Sequence, residues 1–207
     1  MTWLGSLGLW WQSRKTRRKM DRVFSRREDP FRYAESGYEI RRFQTMEAAL
    51  GERRYGRALE IGCAEGHFSQ RLVRRCETLI AVDISEIALT RASKAVPQAE
   101  FIRADVRSWE PEGTFDLIVL GDVLYYLDKP LVRDQFKRTF QRITSWMSPF
   151  SRLLLAHAFA TEGEREHRQS FTRRFAALGL ALTSESVVSP DDPANPVRCL
   201  IAVLDKK

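Results

Sequence analysis

The residues best suited to chemistry begin at positions 57–69, which read R-A-L-E-I-G-C-A-E-G-H-F-S. Ala58, Leu59 and Ile61 form a short apolar run that enters a turn carrying Gly62 and Gly66. Phe68, Leu72 and Val73 then alternate with Gln70, Arg71, Arg74 and Arg75 at helical spacing. This order predicts strand, tight turn and helix, where backbone N–H groups at a helix start meet a polar ligand. Glycine in such a turn permits positive φ and close approach of the ligand. A dinucleotide turn places glycine at its first, third and sixth positions; here those positions are Gly62, Ala64 and His67. Three carboxylates follow later apolar runs in the same way: Asp83, Asp105 and Asp122. Asp83 is placed to accept both ribose hydroxyls of a nucleoside lying across strand ends, and Asp105 to reach an adenine amino group with Val106 against the ring. Asp122 and His157, after the fourth and fifth runs, bring proton-handling groups to the same edge. His157 reads equally well as a histidine at the edge of the core.

These side chains need a scaffold that presents strand ends on one side. Apolar runs at 58–61, 78–82, 99–103, 115–120, 153–158, 180–187 and 198–204 are separated mostly by amphipathic or charged stretches. The run at 115–120 is nearly continuous, as in a central parallel strand. Ser85 is placed to cap a helix that stops before Pro97. Phe136, Phe140, Ile143 and Met147 mark one face of a long helix, and a charged helix is predicted from about 162 to 178. The last two runs are joined by S-P-D-D-P-A-N-P with no helix between them, so antiparallel pairing is expected. The pattern predicts an α/β fold: a Rossmann-like, seven-stranded, mostly parallel sheet with a C-terminal antiparallel hairpin and helices on both faces. Ligands of such sheets bind outside the carboxyl ends of the strands, where strand order reverses.

The 207 residues are 43% hydrophobic and 29% charged, which suits one domain with an appendage. Cys63, Cys76 and Cys199 form neither a disulfide framework nor a C-x-x-C pattern and read as reduced thiols of a cytosolic protein. His67, His157 and His167 lie at no zinc spacing, so no metal is expected. Residues 1–57 hold 14 basic and 7 acidic residues whereas 58–207 hold 20 of each, so the net charge of +7 belongs to the N-terminal segment. Such asymmetry points to anionic lipid, nucleic acid or an acidic substrate. The first 13 residues are apolar with three tryptophans and precede Arg14-Lys15-Thr16-Arg17-Arg18-Lys19. They are too short to span a bilayer, which takes about 20 residues, and their charges follow the apolar run, unlike those of a secretory signal. Trp beside Lys and Arg suits a water–lipid interface; the other reading is a tail folded onto the domain or disordered. Pro30 marks a loop at 28–33, before a helix from about Ser36 to Leu50 that Gly51 ends. The expected organisation is a basic, Trp-rich appendage at 1–27 and a domain at 28–207, whose residues 28–56 form a helical cap over the site.

The pattern E-x-G-x-A-x-G at 60–66 resembles the first motif of class I S-adenosylmethionine-dependent methyltransferases, usually E/D-x-G-x-G-x-G, with Ala64 for the middle glycine. The succession of strand ends and the final hairpin resemble that fold from about residue 55 onward. A narrower resemblance covers roughly 29–155. D-P-x-R-Y at 29–33, S-x-Y-E-x-x-R at 36–42, L-E-I-G-C-A-x-G-x-F-S at 59–69 and F-D-L-I-V-L-x-x-V-L-Y-Y-L at 115–127 are similar to the NodS nodulation N-methyltransferases. Pro149-Phe150-Ser151 departs from the family's usual P-G-G, and the Trp-rich start has no counterpart.

The resemblance implies S-adenosyl-L-methionine as methyl donor, released as S-adenosyl-L-homocysteine. The implied acceptor is a small molecule or oligosaccharide, with N-methylation of an amino sugar favoured and O-methylation second. By the same resemblance, Glu60, Gly62, Cys63, Ala64, Gly66 and Phe68 surround the methionine part of the cofactor. Asp83 and Ile84 meet the ribose, Asp105 and Val106 the adenine, and Gly121 borders the cofactor. Tyr38 or Arg42 closes over the site, and the fork of Arg42 suits the methionine carboxylate. An amine must be neutral to attack, so Asp122 and His157 are the candidates to orient or deprotonate it, with Tyr125 facing the acceptor. The alternative is a non-catalytic cofactor-binding or membrane-associated module of the same fold. A nucleic-acid acceptor is not expected, because Gly121-Asp122-Val123-Leu124 stands where base methyltransferases carry N-P-P-[YF]. The location expected is cytoplasmic, with peripheral membrane contact through residues 1–19 as its variant.

Overall fold

The computed structural model describes residues 3–129, 132–192 and 194–207. All seven apolar runs are strands: β1 (Tyr55–Ile61), β2 (Cys76–Asp83), β3 (Glu100–Arg103), β4 (Phe115–Gly121), β5 (Met147–Phe159), β6 (Leu180–Val188) and β7 (Arg198–Lys206). They form one sheet in the order β3-β2-β1-β4-β5-β7-β6. The first five strands pair in parallel, and β7 runs antiparallel to both neighbours, β5 and β6. Consecutive strands step outward from β1 to β3, and the chain then returns to place β4 on the other side of β1. That reversal leaves a crevice at the carboxyl ends of β1 and β4.

Alternation along the strands divides the core in two. Leu59, Ile61, Ile118, Leu120, Leu153 and Leu155 face one layer with Phe136, Phe140, Ile143, Phe171 and Phe175, supplied by α6 (Arg133–Ser145) and α7 (Glu162–Ala176). Ala58, Leu117, Val119, Leu154 and Ile201 face the other layer with Phe43 and Met46 of α2 (Gly37–Ala49), Leu50 at its C-cap and Leu72 of α3 (Ser69–Leu72). Helix starts follow side-chain capping. Ser36 accepts from the Glu39 amide, Thr161 from Glu164, and Ser85 from Ala88 at the start of α4 (Glu86–Ala95). The remaining short helix is α5 (Leu124–Leu127).

Three local expectations change. The helix after the Gly62–Gly66 turn is only the four residues of α3, because β2 already begins at Cys76 in register with Tyr55, and Val73–Arg75 must turn the chain toward it. Met147 opens β5 rather than closing the preceding helix, and β5 runs 13 residues with a register shift near its start. The N-terminal segment is one 24-residue helix, α1 (Trp3–Arg26). It packs beside α4 with Leu9, Gln12 and Phe24 buried, and Asp21 accepts a 2.7 Å hydrogen bond from Ser85 Oγ.

Candidate active site

At the β1/β4 crevice lies a cavity of about 290 Å³. Its floor is built from strand ends: Gly62 and Ala64 after β1, Asp83 closing β2 and Ile84 after it, Asp105 and Val106 after β3, and Gly121 closing β4 with Asp122 and Tyr125 after it. Its walls come from Glu39 and Arg42 of α2, Tyr33 before it, and Thr16, Met20 and Phe24 of α1. A small adjoining recess adds Glu60, Cys63 and Phe68. Gly66, Tyr38 and His157 border neither space.

The turn depends on backbone forms that side chains disfavour. Gly62 has φ +82°, and a Cβ there would collide with the Val123 side chain. Gly66 has φ +83°, and a Cβ would lie 3.2 Å from Ala92 Cβ, so its role is to seat the turn on α4. Ala64 also has positive φ (48°), and its amide donates to Asp83 Oδ2 at 3.1 Å. At Gly121 a Cβ would meet nothing within 4 Å. The space there opens into the cavity, room that a nucleoside-sized ligand would take.

The carboxylates around this space are held in opposite ways. Burial pushes Glu60 up to about 8, against the 2.5 Å hydrogen bond it accepts from Ser69 Oγ. Burial likewise raises Glu39 to about 7, opposed by the Arg42 guanidinium at 2.7 Å. Asp83 is raised by burial although the Ser85 and Ala64 amides donate to it. Asp105 is buried as well, yet Arg107 donates to it from Nε at 2.9 Å and Nη2 at 2.6 Å, and Ser13 of α1 adds its hydroxyl; the carboxyl lies below its ordinary range. Burial of Asp122 is outweighed by its ion pair with Arg42 and the Ala158 amide at 2.7 Å, so it too lies below. Tyr125 donates its hydroxyl to the same carboxylate at 3.0 Å. Arg42, the side chain suited to a ligand carboxylate, is thus held by two protein carboxylates, Asp122 and Glu39.

His157 is 2% exposed, burial lowers its pKa to about 4 against the pull of Asp122, and among the described residues neither ring nitrogen has a hydrogen-bond partner. Its ring centroid lies 6.1 Å from that of Tyr125 and 5.4 Å from that of Phe171, so it backs Tyr125 from within the core. Tyr38 is turned into the core on the α2 side of the sheet, its hydroxyl unpartnered among the described residues, while Tyr33, five residues earlier, borders the cavity. Sequence reasoning did not single out Glu39, although it adjoins Tyr38 in S-x-Y-E-x-x-R, nor the inward face of α1. Four carboxyl groups line the cavity beside the one guanidinium of Arg42.

A seven-stranded sheet of this order, closed by an antiparallel β7 and carrying its cavity at the β1/β4 ends, defines the class I methyltransferase fold. Residues 15–160 match the family model described as Nodulation protein S (NodS), and the chain belongs to that family. It is 35% identical over 105 residues to Nodulation protein S of Sinorhizobium fredii, a match covering 49% of each chain. Matches to the curated nodulation proteins span 44% to 63% of their lengths. The crystal structure of the N-methyltransferase NodS from Bradyrhizobium japonicum WM9 in complex with S-adenosyl-L-homocysteine superposes with a TM-score of 0.80 at 21% identity, covering 92% of this chain and 98% of that one. A shorter match, 35% over 71 residues, joins 33% of this chain to 28% of the trans-aconitate 2-methyltransferase of Azoarcus sp..

Two outcomes follow from the electrostatics. Arg42→Met leaves Asp122 and Glu39 buried without their cation and should cost about 3–5 kcal/mol in urea denaturation; adding Asp122→Asn should recover part of that loss, and a neutral Arg42→Met would contradict the pairing. Glu60 is protonated in the fold up to about pH 8 but, with an ordinary value of 4.5, ionises earlier in the unfolded chain. Its contribution is therefore present below 4.5 and lost as pH rises toward 8. Glu60→Gln should flatten the fall in melting temperature between pH 5 and pH 8; an unchanged slope would refute the assignment.

Proposed function

We propose that the protein is an S-adenosylmethionine-dependent methyltransferase acting on a small-molecule or saccharide acceptor, with N-methylation of an amino sugar favoured. The observation that carries this reading is the convergence of four successive strand ends on one cavity in a chain of the NodS family. The related N-methyltransferase crystallised with S-adenosyl-L-homocysteine supports both the donor and the attack by nitrogen. The resemblance at 36–42 and 115–127 supports the amino sugar.

When bound, S-adenosylmethionine supplies a methyl group already activated on a positively charged sulfur. The chain's own residues then have to hold and align, and alignment alone supplies about 7–11 kcal/mol. The Gly62–Ala64 turn and the Glu60 recess hold the amino-acid part, Asp83 the ribose, and Asp105 with Val106 the adenine. Arg42 takes the ligand's carboxylate by exchange with Glu39 or Asp122. Residues 28–56, together with α1, act as the cap that excludes water.

An attacking amine must lose a proton. Asp122, held below the ordinary carboxylate range, is a poor proton acceptor but a good partner for the positive charge that develops on nitrogen. Glu39, pushed up to about 7 and bordering the cavity, is matched to take the proton near neutral pH. Tyr125 fixes the orientation of Asp122, and His157 supports Tyr125 from behind. No described helix is long and apolar enough to cross a membrane.

Titration calorimetry with S-adenosyl-L-homocysteine should give binding that Asp83→Ala weakens at least about tenfold, the loss of a hydrogen-bonded charged contact. No binding, or binding indifferent to Asp83→Ala, would end this reading. With radiolabelled donor, an oligosaccharide bearing a free amine should gain label, and Glu39→Gln should abolish the rise in rate through neutral pH. Label appearing only on hydroxyl or carboxylate acceptors would retain the reaction class and remove the amine.

A further inference from the structure

Helix α1 has two unlike faces. Its inward face buries Leu9, Gln12 and Phe24 and borders the cavity with Thr16 and Met20. Its outward face leaves Trp10 and Trp11 at 56% and 51% exposure, so the helix is docked by the side opposite its paired indoles. Behind them, at helical spacing, Lys15, Arg18, Lys19 and Arg22 are exposed in turn. The helix holds seven basic residues and one acidic residue, a net +6 of the chain's +7. Its single acid, Asp21, is engaged inward by Ser85.

Among the described residues, none of the six cations from Arg14 to Arg22 forms an ion pair. On the body, by contrast, Arg42, Arg91, Arg107 and Arg152 each hold a carboxylate. Among the described residues these six cations therefore have no carboxylate paired with them. Arg14 lies 4.7 Å from the Trp10 ring and Lys15 5.2 Å from the Trp11 ring, which keeps a cation beside each exposed indole.

We propose that the outward face of α1 docks on a membrane surface containing anionic phospholipid. The helix lies in the plane of the surface, with Trp10 and Trp11 seated at headgroup level and the basic rows against lipid phosphates. The arrangement favours lipid over a nucleic-acid strand. Stacking on bases calls for aromatic rings distributed among the cations, whereas here both indoles sit together at one end. Lys19 also lies 5.5 Å from the Tyr126 ring, and Trp10 and Arg14 border a recess that reaches Asp105. The proposal is independent of the methyl-transfer reading because vesicle binding is read without cofactor or acceptor.

Co-sedimentation of the full chain with vesicles tests it. Binding is expected to phosphatidylcholine vesicles doped with phosphatidylglycerol, to be absent with phosphatidylcholine alone, and to weaken as salt shortens the screening length. The triple variant Lys15→Glu/Arg18→Glu/Arg22→Glu should lower partitioning at least about tenfold, and Trp10→Ala/Trp11→Ala several-fold, both with unchanged melting temperature. Equal partitioning of the variants and the parent overturns the proposal. So does failure to bind anionic vesicles, whether or not a single-stranded oligonucleotide binds in the same buffer. Pelleting without vesicles would assign the face to self-association and overturn it as well.

Discussion

One buried carboxylate joins most of the working parts. Asp122 sits just past the end of β4 with a positive φ of 52°, a backbone form that persists only where its surroundings enforce it. Those surroundings are specific. Arg42 reaches it from α2, the Ala158 amide from β5, and the Tyr125 hydroxyl from α5. Arg42 is itself packed between the Tyr33 and Phe43 rings at 5.5 and 5.0 Å. Helix α2 is thus attached to the sheet at the place where strand order reverses, and Glu39 and Arg42 wall the crevice on that side.

The same economy of charge separates the acids by environment. Burial prevails at Glu60, which has only the Ser69 hydroxyl, and at Glu39 even beside the Arg42 guanidinium, while at Asp105 and Asp122 guanidinium groups together with backbone amides outweigh it. Pairs of like groups driven apart in this way divide the labour of a site. One set can exchange protons or yield to a cationic ligand, and the other set provides fixed negative charge. For Asp122 the deciding partner is far away in the chain, since Arg42 lies 80 residues off, whereas Arg107 is only two residues from Asp105.

That separation in sequence explains what could be read from residue order and what could not. The strands were legible because apolar runs of the right length stand between turn residues, and the hairpin because Pro and Asp fill the link before β7. The brevity of α3 was not, since it follows from the register of Cys76 against Tyr55. Tyr38 and Tyr33 occupy the same aromatic, basic stretch. Only the packing of α2 on the sheet turns the first into the core and leaves the second at the cavity. Glu39 gave no signal of its own, because an acid in a first helical turn is ordinary; burial beside Arg42 makes it unusual. The helix at the start was hidden by its composition, which suits a tail, an anchor or a helix until Leu9 and Phe24 find the body.

The antiparallel insertion of β7 carries a consequence for biosynthesis. β7 fills the slot between β5 and β6, with Ile201 and Val203 in one core layer and Ala202 and Leu204 in the other, and Lys206 donates to the Thr144 and Met147 carbonyls at 3.2 and 2.6 Å. A nascent chain that has exposed everything through β6 still has a bare hydrogen-bonding edge on its longest strand and an unsealed interior on both faces. The parallel half can gather during translation, but closure waits for the residues after 197.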